Sequence, residues 1–158
     1  MGLKNIVVRA GMVGSAAVMA IGLFAGEANA TSTNIDYWST DSAPVRCSKA
    51  LCLYYNSGAE GAIFYNGMAG ADYLRYFSFW DDHTAGVNSS NGAGQEVDNN
   101  AASAENGSVN CGEAIYVNSA GYGDSNVLDP GRGGNLTSNL KNNEASLEPI
   151  VPSGSYCQ

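Results

Sequence analysis

Lys141–Ser146 reads KNNEAS, and 43 residues upstream Asp98–Ser103 reads DNNAAS. Consecutive asparagines compete with the backbone for hydrogen bonds and favour turns, so neither copy is a strand. Each lies beside material that does read as strand, and the two copies therefore mark one structural point in two related units. The openers upstream agree. LYYNSGAEGAIF starts at Leu53 and IYVNSAGYGDSNV at Ile115, and both give an aromatic, one residue, Asn-Ser and then glycines. Tyr54 leads to Asn99 and Tyr116 to Asn142, the order of an internal duplication. Most of the longer first spacing is accounted for by DDHTAGVNSSNGAGQEV, 81–97, which reads as a surface loop.

Around this repeat the chain is written in short β-type runs: LCLYYN, AIFYN, DYLRYFSFW, EAIYVN and ASLEPIV. They are rich in aromatic and branched residues and are separated by Gly, Asn, Ser and Asp clusters, which predicts an all-β domain. No segment after residue 30 carries a helical stripe.

The first 30 residues read as a signal peptide. Lys4 and Arg9 precede the apolar run GMVGSAAVMAIGLFAG, and Ala28-Asn29-Ala30 closes it as a small-x-small cleavage pattern. The predicted organisation is leader 1–30, extended N-terminal arm 31–46 and one domain 47–158, with motif one at about 51–104 and motif two at about 112–151. Removing Lys4, Arg9 and Glu27 with the leader leaves five basic and fourteen acidic residues, a net charge of −9. Nucleic acid is not an expected partner, because phosphate binding needs a basic surface. Anionic membrane is disfavoured on the same ground once the leader is cleaved. A secreted monomer is expected.

Cys47, Cys52, Cys111 and Cys157 all follow the leader, and four cysteines in a secreted chain imply two disulfides. Three pairings are open. Cys47–Cys52 with Cys111–Cys157 is preferred, since the first two flank a turn-length segment. Zinc is disfavoured, with no Cys-x-x-Cys and His83 as the sole histidine. Enzymatic patterns are missing too: there is no Gly-x-Ser-x-Gly elbow and no His-Glu-x-x-His, and His83 reads as a loop residue. No catalytic residue is assigned. Tyr37, Trp38, Tyr73, Tyr76 and Trp80 offer a sugar-stacking face, set against ordinary core packing.

The paired openers and loops resemble the βγ-crystallin Greek-key pattern, with Tyr54 and Gly61 fitting the first opener and Tyr116 and Gly123 the second. More narrowly, ALCLYYNSG after a cysteine, with NNAAS and NNEASL later, resembles small secreted actinobacterial proteins grouped with the metalloproteinase-inhibitor type of βγ-crystallin. The resemblance spans roughly Cys47 to Val151. It departs at Ala59, where a second aromatic is usual, and at Tyr122, one place from the corresponding position. It implies two Greek keys packed as a disulfide-braced sandwich. It also implies peptidase inhibition with an extracellular protease as partner. The family's reactive bond sits beside a second local disulfide, and Cys111 and Cys157 are 46 apart, so that site is not carried over. The candidate loops are the stretch 81–97 and the turn near Cys111, with no scissile bond assigned. No cofactor is required. The matching positions for calcium are Asn99, Asn100 and Ser103 with Asn142, Asn143 and Ser146. Both leading positions are neutral, so affinity is expected to be at best ~10⁻⁴–10⁻³ M. The competing reading is that these residues bond backbone and hold the turn without metal. A weakly calcium-binding structural or glycan-binding module is the alternative function.

Overall fold

A computed structural model describes residues 30–40, 47, 51–67, 69–82 and 89–157. The leader, apart from Ala30, lies outside them, as do His83 and the middle of the 81–97 loop. Among the described residues nine strands follow in order: β1 (Ser32–Asn34), β2 (Trp38–Ser39), β3 (Leu51–Asn56), β4 (Glu60–Asn66), β5 (Ser103–Asn106), β6 (Gly112–Asn118), β7 (Tyr122–Leu128), β8 (Arg132–Asn135) and β9 (Ser146–Ile150). They form two sheets, ordered β1-β7-β6-β9 and β2-β8-β5-β3-β4. The fold is the expected all-β sandwich of two Greek-key units.

The units exchange edges. β8 belongs to the second half of the chain yet pairs antiparallel with β5 of the first. Reciprocally, Ala71 of the first half bridges Leu147 in β9 of the second. Neither half can close its sheet alone, so the two form one cooperative domain.

The alternation of β3 sets the layers. Leu51 and Leu53 enter the main core with Ala62, Phe64 and Ala104, against Ile115, Leu128 and Leu147 from the other sheet. Cys52 and Tyr54 point the opposite way, into a second cluster with Cys47, Ala59 and Ile63, against which Trp38 packs. Both faces of β3 are thereby buried, which accounts for the unbroken apolar run LCLY.

Order starts earlier than Leu51. The stretch read as an arm contributes β1, parallel to β7, and β2, antiparallel to β8, and so edges both sheets. DYLRYFSFW is not one strand. It holds a 3-10 turn at Leu74–Tyr76 and makes isolated bridges at Ser78 and Trp80, with a further bridge at Ala71 just before it. The described end of the 81–97 loop is held against it by Phe79 N–H to Gln95 O at 2.9 Å and Val97 N–H to Phe77 O at 3.0 Å. Among the described residues, no helix is long and apolar enough to cross a membrane.

Candidate functional site

The twin loops occupy equivalent places. In both hairpins the register shifts at the same point, between Tyr54 and Asn56 in β3 and between Tyr116 and Asn118 in β6. Left-handed backbone then folds each hairpin over, at Gly58, Ala59 and Gly61 in the first and Ala120, Gly121 and Gly123 in the second. A serine from the downstream loop pins each fold. Ser103 Oγ donates to Asn56 O at 2.6 Å and accepts from Ala59 N–H at 3.0 Å. Ser146 Oγ donates to Asn118 O at 2.6 Å and accepts from Gly121 N–H at 3.0 Å. Both serines are fully buried.

Asn99 and Asn142 both take positive φ, 62° and 57°, a conformation asparagine tolerates better than most residues. Their N–H groups reach across the molecule: Asn99 donates to Glu144 O at 2.9 Å and Asn142 to Ala101 O at 2.8 Å. Ala101 and Glu144 hold the same place in the two copies, so the loops clasp each other about a pseudo-two-fold axis. Behind them, Ala102 N–H bonds Tyr54 O and Ala145 N–H bonds Tyr116 O, at 2.9 and 2.8 Å.

Glu144 breaks the symmetry. Its buried carboxylate accepts from the N–H of Asn100 at 3.0 Å, Ala101 at 2.6 Å and Asn143 at 3.1 Å. Burial pushes this carboxyl up to about 8, against the opposing pull of those N–H bonds on the charged form. The Asn100 amide donates to Asp98 O and the Asn143 amide to Asn139 O. Where the first hairpin meets both loops, a cleft of about 250 Å³ is lined by Tyr55, Asn56, Ser57, Asn100, Ala102, Lys141 and Asn142. Lys141 Nζ donates to Ser57 Oγ there at 2.8 Å. No group of three or more His, Cys, Asp or Glu gathers among the described residues.

A second repeated feature lies on the outer sheet faces, and sequence reasoning did not find it. Glu105 and Glu148 each follow their loop serine by two residues, and each accepts a hydrogen bond from the tyrosine of its own opener. Tyr54 bonds Glu105 at 2.7 Å, and Trp38 Nε1 bonds the other carboxylate oxygen at 2.8 Å. Burial drives the Tyr54 phenol far above its ordinary range, with Glu105 adding to it. Trp38 is thus part of a packed cluster and no free sugar platform. Tyr76 and Trp80 do stand out, 71% and 69% exposed, and Arg75 lies over the Tyr73 and Tyr76 rings at 4.8 and 5.1 Å.

The cysteines pair as Cys47–Cys52 and Cys111–Cys157. The second bridge closes a turn whose tip, Val109, is 69% exposed. Asn106 Oδ1 accepts from Ser108 N–H at 3.0 Å, Ser108 Oγ accepts from Cys111 N–H at 3.1 Å, and the Asn110 amide donates to Tyr156 O at 2.7 Å.

No protein-family model matches the chain, and no curated protein matches it in sequence. Among solved structures it is similar to one described as "Evolution of the eye lens beta-gamma-crystallin domain fold", with a TM-score of 0.50 and 13% identity over 68% of this chain and 90% of that one. The N-terminal domain of protein S gives a TM-score of 0.43 at 17% identity, over 65% of this chain and 96% of that one. The first likeness establishes a βγ-crystallin domain fold.

Proposed function

We propose that the chain is a secreted, non-enzymatic inhibitor of an extracellular metallopeptidase, presenting the turn 107–111 to the enzyme cleft. One observation carries this reading: an exposed apolar side chain, Val109, stands at the tip of a turn held by side-chain hydrogen bonds on both flanks and by Cys111–Cys157. A turn held in this way loses little entropy on binding. A cut beside Val109 would leave the two pieces joined by the exchanged sheet edges, β8 on β5 and Leu147 on Ala71, which opposes turnover. The sequence resemblance supports the same class, and the leader pattern with two disulfides supports export.

The test is titration of the chain starting at Thr31 against thermolysin-like and subtilisin-like peptidases. Inhibition of the former at micromolar protein, weakened about tenfold or more in Val109→Gly as expected of an interface anchor, is the predicted result. Undiminished peptidase activity would overturn the function. Inhibition unaffected by Val109→Gly would overturn the contact surface alone.

The Tyr73, Arg75, Tyr76 and Trp80 surface favours a second reading, a glycan-binding module. Stacked rings with polar edges suit sugar faces. Retention on insoluble cell-wall polysaccharide, lost in Tyr76→Ala with Trp80→Ala, is its expected signature, and passage of the unaltered chain through such a matrix would exclude it.

A further inference from the structure

The cleft between the first hairpin and the two asparagine loops is rich in side-chain oxygen: Asn56, Ser57, Asn100 and Asn142 line it. Such oxygens are what a hard divalent cation seeks. The rest of the donor set runs the other way. The loop serines, Ser103 and Ser146, are fully buried, and each hydroxyl is already committed to a hairpin carbonyl and a hairpin N–H. Glu144, the one acid inside either loop core, is turned onto three backbone N–H groups. No carboxylate lines the cleft, and an ammonium does, with Lys141 Nζ 2.8 Å from Ser57 Oγ.

We propose that Lys141 is the resident cation of this cleft, so that the cleft is braced without divalent metal. The lysine is not demanded by the repeat, since the same place in the first copy is Asp98. The single charge at this position therefore decides what the cleft accepts. With lysine, the positive charge is supplied from within and bridges loop to hairpin. With a carboxylate, the same amide and hydroxyl oxygens would gain the neutralising ligand that calcium binding needs. This inference is independent of the inhibitor reading.

The test compares melting temperatures of the chain from Thr31, Lys141→Asp and Lys141→Gln in EDTA and in about 10 mM calcium chloride, roughly ten times a millimolar dissociation constant. The unaltered chain should move by less than about 1 °C, and Lys141→Asp should gain a calcium-dependent rise of several degrees. A rise in the unaltered chain equal to that of Lys141→Asp would overturn the proposal, as would no rise in Lys141→Asp. Should Lys141→Asp fail to fold, Lys141→Gln decides: a smaller rise supports the proposal, and no rise sinks it.

Discussion

Glu113 is the residue whose surroundings fit its chemistry least. It lies fully buried in β6, opposite Leu128 and Pro149, and neither carboxyl oxygen has a hydrogen-bond partner among the described residues. Burial alone pushes it up to about 8. A carboxyl raised in the folded state keeps a proton that the unfolded chain has already released, across the window between the ordinary value, 4.5, and about 8. Stability is therefore fully present below that window, falls as pH rises through it by up to about 1.4 kcal/mol per unit, and levels off above. Glu144 adds to the decline in the same direction. Urea unfolding of Glu113→Met at about pH 5.5, 7 and 8.5 should show a shallower decline than the unaltered chain and higher stability at the alkaline end. Equal slopes would show that Glu113 ionises freely in the fold.

At the scale of the element, the folded hairpin is the unit that repeats. Gly61 and Gly123 hold it at φ 82° and 84°, and a Cβ at either would sit 2.8 or 2.6 Å from the amide of Asn56 or Asn118. Gly61→Ala and Gly123→Ala should each cost about 1–2 kcal/mol or more from left-handed strain and crowding, read as lowered melting temperature. A loss under about 0.3 kcal/mol at either would mean that the hairpin opens there at no expense. Both hairpins were legible in the sequence because their contents are local: Asn-Ser, two left-handed positions and a glycine at fixed spacing. The serine loops were legible because the chain writes them twice. β1, β2 and β8 were not. Their sequences are polar or glycine-rich, and each is made a strand by a neighbour distant in the chain. The same limit hid the burial of Glu105 and Glu144, whose partners Trp38, Tyr54, Asn100 and Ala101 lie 43 to 67 residues away. Val109 carried no signal at all beyond its closeness to Cys111.

For the whole molecule, the exchanged edges and the two disulfides act on different parts of the stability. Cys47–Cys52 spans five residues and Cys111–Cys157 forty-six. Loop-closure entropy then assigns about 2 kcal/mol to the first bridge and about 4 kcal/mol to the second. Cys111→Ser with Cys157→Ser should lower the melting temperature more than Cys47→Ser with Cys52→Ser, and the reverse order would place the larger effect in the packing around Trp38 and Tyr54 instead. Because each half completes the other's sheet, unfolding should remain a single transition in both variants.

The most direct test of two hairpins pinned by twin serines is amide hydrogen exchange at Ala59 and Gly121, whose N–H groups bond Ser103 and Ser146. Both should exchange slowly in the unaltered chain, with Ser103→Ala accelerating Ala59 alone and Ser146→Ala accelerating Gly121 alone. Rapid exchange at either amide before any substitution would contradict the account.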